Sequence, residues 1–201
     1  MTGLDEAAAA AAKQHLHGYL RRGRDALLWK VEGLSPYDQR RPLVPTGTNL
    51  LGLVKHAAST EAGYFGDCFG RPFPEPMPWM DDDAEDNADM WATADETAEQ
   101  VTGLYRRVAA HADATIEALA LDATGTVPWW PPERSTVTLL QILTHMIAET
   151  HRHAGQADLV RELVDGAAGM QQGNANLPGG DADWWAGYRD RLERVAREAR
   201  A

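Results

Sequence analysis

The sequence of 201 residues contains only one cysteine, Cys68. One cysteine cannot form a disulfide within the chain, so the sequence suits a reducing compartment, and we expect a cytoplasmic protein. No apolar run reaches the roughly 18 residues that a membrane-spanning helix needs. The short alanine run near the N-terminus follows Asp5 and Glu6 rather than basic residues, so it does not resemble a secretory signal.

Basic side chains are also scarce. Lysine and arginine together number 19 against 30 aspartates and glutamates, which gives a formal net charge of −11. A nucleic-acid partner needs a basic face for its phosphates, so we expect none. The chain shows no glycine-rich phosphate loop and no strand–helix–strand pattern. Lysine occurs only at Lys13, Lys30 and Lys55, and the excess of arginine and alanine is typical of a GC-rich genome.

What the sequence does contain is helical periodicity. Apolar residues recur at intervals of three and four, the spacing of a buried helical stripe. We predict five helices, over residues 4–34, 50–69, 95–121, 136–166 and 181–199. Capping residues support two of the starts, with Thr48 or Asn49 before the second helix and Ser135 or Thr136 before the fourth. The pattern predicts an all-α protein, a four-helix bundle with an additional C-terminal helix, in a single domain spanning residues 1–201.

Two long connections interrupt these helices. The first half of residues 70–94 contains four prolines, at alternating positions from 72 to 78. The acidic run 81–86 follows, and it lacks the ligand spacing and central glycine of an EF-hand calcium loop. We interpret this segment as a solvated loop or a lid that Trp79 and Trp91 fold over a pocket. Residues 167–180 are rich in glycine, asparagine and glutamine, and we expect them to be flexible. In the last helix, the apolar residues are expected to face inward: Trp184, Trp185, Tyr188, Leu192 and Val195.

Polar residues occupy the buried stripe of the predicted fourth helix. Ile142, Met146, Val160 and Leu163 define the stripe, and the same steps of three and four pass through Glu149, His153 and Gln156. A buried carboxylate needs a partner, commonly a cation or a metal. Residues four apart on a helix lie about 5–6 Å apart at Cβ, so Glu149 and His153 can converge on one ion.

His56, on the edge of the apolar face of the second helix, completes a candidate metal site. Two imidazoles and one carboxylate suit zinc best, with nickel and iron(II) as alternatives. Three protein ligands leave a coordination position open, as in catalytic zinc sites. A dication with Glu149 carries a net charge of +1, which one thiolate neutralises. His145 and Gln156 are the nearest candidates to orient the ligands or, for His145, to accept a proton.

The residues leave other interpretations open. Taken alone, His56 is typical of an ordinary core histidine. Trp129 and Trp130 form either a hydrophobic plug or, with Tyr64, a wall of a ligand site. The chain is then an enzyme, a non-catalytic metal-binding stress-related protein, or a helical interaction protein whose polar stripe is only a hydrogen-bond network. An apolar helix face also allows a homodimer.

Two segments carry a resemblance to a known family: GTNLLGLVKH (47–56) and HMIAETHRHAGQADLVRELVDG (145–166). They resemble the DinB-like superfamily, specifically its branch of uncharacterised function. They are also similar to its thiol-dependent enzymes, the mycothiol-dependent maleylpyruvate isomerases and the mycothiol and bacillithiol S-transferases. The resemblance covers nearly the whole chain.

The resemblance implies a four-helix bundle with a metal-binding triad. The family's first histidine matches His56, and its HRGQ-like motif matches His153 in HAGQ, with Ala154 in place of the arginine. Many members have a histidine where this chain has Glu149, whereas the isomerase type uses glutamate. The implied function is a metal-dependent S-transferase or isomerase that joins a small thiol, mycothiol above all, to an electrophilic substrate.

Overall fold

The computed structural model describes residues 3–199. Six α-helices follow one another along the chain: α1 (Gly3–Trp29), α2 (Leu50–Glu61), α3 (Ala98–Ala118), α4 (Pro132–Ser135), α5 (Leu139–Asp165) and α6 (Ala182–Glu198). Helix α1 packs along α5, α2 packs along α3, and α2 also contacts α5. These four long helices form the bundle, which confirms the predicted all-α class.

A small antiparallel hairpin was not predicted. Strand β1 (Thr124–Thr126) pairs with β2 (Thr136–Thr138), with Gly125 opposite Val137. We predicted that the fourth helix begins at 136, but the β-branched residues there favour extended backbone. Thr138 caps α5 instead of Ser135 or Thr136, because its hydroxyl accepts a hydrogen bond from the Gln141 N–H.

The predicted second helix changes its winding near the middle. Asn49 caps it as expected, since its side chain accepts a hydrogen bond from the Gly52 N–H at 2.8 Å. Regular α-helix ends at Glu61, and a π-helical turn (Ala62–Gly66) and a 3₁₀ turn (Asp67–Phe69) follow. Such π-turns are frequent at functional sites because the wider turn redirects side chains.

The first helix is shorter than predicted. A distant arginine forms hydrogen bonds with the carbonyl groups just after its end, so these groups do not continue the helix. Regular helix ends at Trp29 rather than 34. The Arg161 guanidinium of α5 donates to the carbonyl oxygens of Lys30 (3.0 Å) and Glu32 (2.8 Å). These bonds satisfy the carbonyls that a helix end leaves free.

A layer of polar side chains crosses the apolar core halfway along the helices. One apolar cluster contains Leu27, Ala57 and Ala157, and a second contains Leu20, Tyr64 and Met146. Between these levels the helices contribute buried polar side chains: Arg24 of α1, Glu61 of α2, and Thr150 and His153 of α5.

Arg24 and Glu61 form the centre of this layer. The Arg24 Nε donates to Glu61 Oε1 at 3.0 Å, and the Tyr105 hydroxyl donates to the same oxygen at 2.9 Å. Arg24 also donates to Asp113, which contacts His17 Nε2 at 2.6 Å. His17 of α1 is therefore buried against α3. One network of paired charges thus joins α1, α2 and α3.

Two sets of residues expected to be buried are exposed. Leu163, assigned to the buried stripe of α5, is 64% exposed. In α6 no residue is buried, and Leu192 is 49% exposed. Trp184, Trp185 and Tyr188 contact one another instead of the bundle core. The spacing correctly indicated a helix, but spacing alone does not determine what covers its apolar face. Within residues 3–199, no helix has the length and apolarity needed to cross a bilayer.

We predict that Arg24→Met destabilises the fold by about 3–5 kcal/mol, because the Glu61 carboxylate would stay buried without its cation. Urea unfolding followed by circular dichroism measures this. The matched control is Arg197→Met, which breaks the exposed Glu193–Arg197 pair of α6 and should leave the midpoint unchanged. Equal midpoints for wild type and Arg24→Met would contradict a structural role for the network.

A second prediction concerns pH. Burial alone would raise the pKa of Asp113, but the Arg24 hydrogen bond and charge, together with His17 and Arg21, hold that pKa below its ordinary 3.8. The carboxylate therefore contributes stability that is complete above about pH 3.8 and is lost as pH falls through the folded-state pKa. In Asp113→Asn this contribution should be absent, so its melting temperature should fall less than that of wild type between pH 5 and pH 3. A parallel fall in both proteins would refute this assignment.

Candidate active site

The end of the long loop lies directly against α2, and this contact positions the first candidate ligand. A Cβ atom on Gly52 would meet the Met90 carbonyl oxygen, so only glycine allows the approach. Asn49 Nδ2 donates to the same carbonyl at 3.1 Å. The neighbouring Asp89 then reaches His56, with its Oδ2 2.6 Å from His56 Nδ1. Because the carboxylate accepts the Nδ1 proton, the His56 Nε2 remains available as a ligand.

The second histidine is held in the same tautomer by a different partner. His153 Nδ1 donates to Gln156 Oε1 at 2.7 Å, one turn further along α5. Burial lowers the pKa of His153 below its ordinary 6.5, which favours the neutral imidazole. Its Nε2 is buried and has no hydrogen-bond partner.

Three sequence-predicted ligands lie next to one another. The rings of His56 and His153 are 4.8 Å apart between centroids and nearly perpendicular. Glu149 Oε2 lies 3.4 Å from His153 Nε2. Within residues 3–199, however, no three histidine, cysteine, aspartate or glutamate side chains are gathered closely enough to form a coordination sphere.

The chemistry of these donor atoms nevertheless fits a cation. In the tautomer fixed by Gln156, the His153 Nε2 presents a lone pair, and an oxygen of Glu149 lies 3.4 Å from it. Two acceptors facing each other repel unless a positive charge lies between them. Histidine and glutamate donors with ordered hydrogen-bond partners are typical of zinc and of related transition metals.

The predicted aromatic residues form a second group beside this one. The Tyr64 hydroxyl accepts hydrogen bonds from the indole N–H groups of Trp130 (3.1 Å) and Trp129 (3.4 Å). The His145 ring packs edge-on against Tyr64 and Trp130. Among the described hydrogen bonds, none joins His145 to Glu149, so its position favours packing with the aromatic group. Gly63 of the π-turn allows this arrangement, because a Cβ there would lie 2.9 Å from the Trp129 ring.

A cleft of about 690 Å³ opens beside both groups. Three predicted site residues line it: His56, Tyr64 and Trp129. The π-turn supplies Ala62 and Gly63. The loop supplies most of the opposite wall, namely Phe73, Glu75, Met77, Met80 and Asp89. The other predicted site residues do not line it: Trp130, His145, Glu149, His153 and Gln156.

Sequence reasoning missed Asp89 and Asp67. The acidic run 81–86 attracted attention in the loop, yet the carboxylate that reaches His56 comes three residues later. The signal that could have found it is Gly52, whose missing side chain lets the loop approach α2. Asp67 follows the π-turn and lines the cleft. A regular helix would direct this residue elsewhere, so no periodicity argument could place it.

We predict that Asp89→Ala weakens zinc binding about 10- to 100-fold, because His56 would lose the partner that orients its ring. Competition with a chromophoric chelator measures this affinity. Asp86→Ala is the matched control, since it removes an exposed carboxylate of the same loop and should leave the affinity unchanged. Equal losses in both variants would indicate a general charge effect instead of orientation.

Comparison with known proteins identifies the family of the chain. No protein with curated annotation matches the chain. A family model described as mycothiol-S-transferase matches residues 15–166, which include α2, α3, α5 and every residue of the two groups described above. Since that match covers most of the 201 residues, the chain belongs to the mycothiol-S-transferase family.

Proposed function

We propose that the chain is a metal-dependent S-transferase that joins mycothiol to small electrophiles. In this proposal His56, Glu149 and His153 hold one divalent cation, zinc in preference to nickel or iron. The observation that carries the proposal is the unpartnered, buried Nε2 of His153 facing the Glu149 carboxylate at 3.4 Å. Membership of the family supplies the thiol and the reaction class.

A cation held by these residues would supply positive charge that lowers the pKa of a neighbouring thiol. The residues of the chain prepare that position in two ways. Asp89 and Gln156 hold both imidazoles with Nε2 free, so no rearrangement of protons precedes binding. Glu149 contributes one negative charge, which leaves a charge of +1 for one thiolate to balance.

The cleft gives the electrophile a place beside this site. His56 lines its inner part, and Tyr64 and Trp129 form a wall that is largely apolar. Aromatic walls bind flat apolar groups and keep water away from them. The electrophilic carbon can thereby be held next to the thiol sulfur without competing hydrolysis.

The compartment and the partners follow from this chemistry. Small thiols act in reducing surroundings, and the lone Cys68 is buried, with a pKa that burial raises to about 12. We therefore place the enzyme in the cytoplasm, with a thiol and an electrophile as its partners and no nucleic acid. Apolar surface for a homodimer is left by the exposed Leu159 and Leu163 and by α6.

The test combines metal analysis with turnover. Wild-type protein loaded with zinc, nickel or iron(II) should bind about one ion per chain and accelerate conjugation of mycothiol with a panel of electrophiles. His153→Ala should lose both the metal and the acceleration, because one of the three ligands is gone.

His151→Ala provides the matched control. The same residue type lies on the same helix, but its Nε2 contacts the Tyr19 carbonyl oxygen on the opposite side. This variant should retain metal and turnover. Metal binding without turnover of any electrophile would favour the non-catalytic metal-binding alternative. No metal in wild type after reloading would favour a purely structural polar network.

A further inference from the structure

The side chains that line the cleft share a charge property. Beside its apolar residues the lining contains three carboxylates, Asp67, Glu75 and Asp89, and no lysine or arginine of residues 3–199. The buried Lys55 of α2 is not a lining residue and donates to Glu96 at 3.0 Å. The cleft is therefore apolar and acidic.

These three carboxylates differ in how far their charge is compensated. Arg107 forms two hydrogen bonds with Glu75, at 2.6 and 2.8 Å, so this pair is close to neutral. Asp89 accepts from His56. Among residues 3–199, the Asp67 carboxylate has neither a hydrogen-bond partner nor a charged partner, and partial burial raises its pKa above 3.8. Asp67 is thus the carboxylate whose field reaches a ligand with the least compensation.

We propose that this cleft selects neutral or cationic apolar electrophiles and rejects carboxylates, and that Asp67 sets this preference. The inference rests on the proposed function of the same cleft and adds the class of its substrate. An anionic group would lose its water against apolar walls and find no cation in return. It would also meet the field of Asp67, whereas a cation would gain from it.

The proposed metal site of His56, Glu149 and His153 does not reverse this preference for neutral or cationic electrophiles. A dication there is balanced by Glu149 and one thiolate, so the assembled site is neutral. The remaining fixed charge near the electrophile is that of the cleft lining. A carboxylate substrate would therefore need a basic side chain that the lining does not contain.

The experiment uses para-substituted benzyl chlorides that differ only in charge, with a methyl, a carboxylate or a trimethylammoniomethyl group. The thiol sulfur forms a bond to the benzylic carbon, the C–Cl bond breaks, chloride leaves with the electron pair and the thiol proton goes to solvent. Rates with the metal-loaded enzyme are divided by the rates with mycothiol alone, which removes differences in intrinsic reactivity.

We expect the methyl and ammonium compounds to exceed the carboxylate by roughly tenfold or more at low ionic strength, and the difference to shrink with salt. The ratio of cation to anion should fall in Asp67→Asn and invert in Asp67→Lys. Asp190→Asn is the control, since it changes the net charge equally but lies in exposed α6. Its ratio should equal that of wild type.

Binding of the corresponding unreactive benzyl alcohols, measured by ligand-observed NMR, separates the two proposals. Turnover of the carboxylate as fast as the methyl compound, or an unchanged ratio in Asp67→Asn, overturns the charge selection and leaves the transferase function standing. Charge-ordered binding without any turnover supports the selection and overturns the transferase function. No binding of any alcohol to the wild type overturns the assignment of the cleft itself.

Discussion

The polar layer across the middle of the bundle depends on one constraint, namely that a charge buried among helices must find its partner on another helix. Glu61 of α2 is completely buried and is neutralised by Arg24 of α1, with a hydrogen bond from Tyr105 of α3. Burial and the Glu61 charge raise the pKa of Tyr105 well above its ordinary value, so this hydroxyl keeps the proton it donates. The three side chains thereby hold α1, α2 and α3 together at one level of the bundle. The π-turn begins at Ala62, immediately after Glu61.

The candidate site lies at the same level of the bundle as the Arg24–Glu61 pair. The two regions differ in how the negative charge of their glutamate is compensated. In the structural part, arginine supplies the positive charge. In the candidate site, a Glu149 oxygen lies 3.4 Å from His153 Nε2, and that nitrogen has no hydrogen-bond partner among the described residues. Only the histidine nitrogen of this pair is buried without a partner, whereas the Glu149 side chain is 36% exposed. This unpartnered nitrogen is the observation on which the proposed cation rests.

Much of the fold could be predicted from the sequence because helical periodicity is a local property. The spacing in α5 correctly predicted that Met146, His153 and Val160 are all buried. The errors arose where tertiary contacts override local pattern. Arg161 ends α1 early through contacts more than one hundred residues away in sequence. The exposed face of α6 has the same periodicity as a buried face. For the candidate site, the sequence suggested residues on regular helices but could not place Asp89 or Asp67, whose positions depend on loop docking and on a π-turn.

The docking of the loop through Gly52 and Met90 has a consequence for how this protein could diversify. The end of the loop orients His56 through Asp89, whereas Phe73, Glu75, Met77 and Met80 line the cleft. Trp79, which lies between these lining residues, donates to Ser59 of α2 at 2.9 Å. The residues that line the cleft thus alternate with, or precede, the residues that hold the loop on α2. Substitution of Phe73, Met77 and Met80 would change the shape of the cleft while the Trp79–Ser59 and Asp89–His56 contacts stay in place. The loop can therefore vary the cleft without any change in His56, Glu149 or His153.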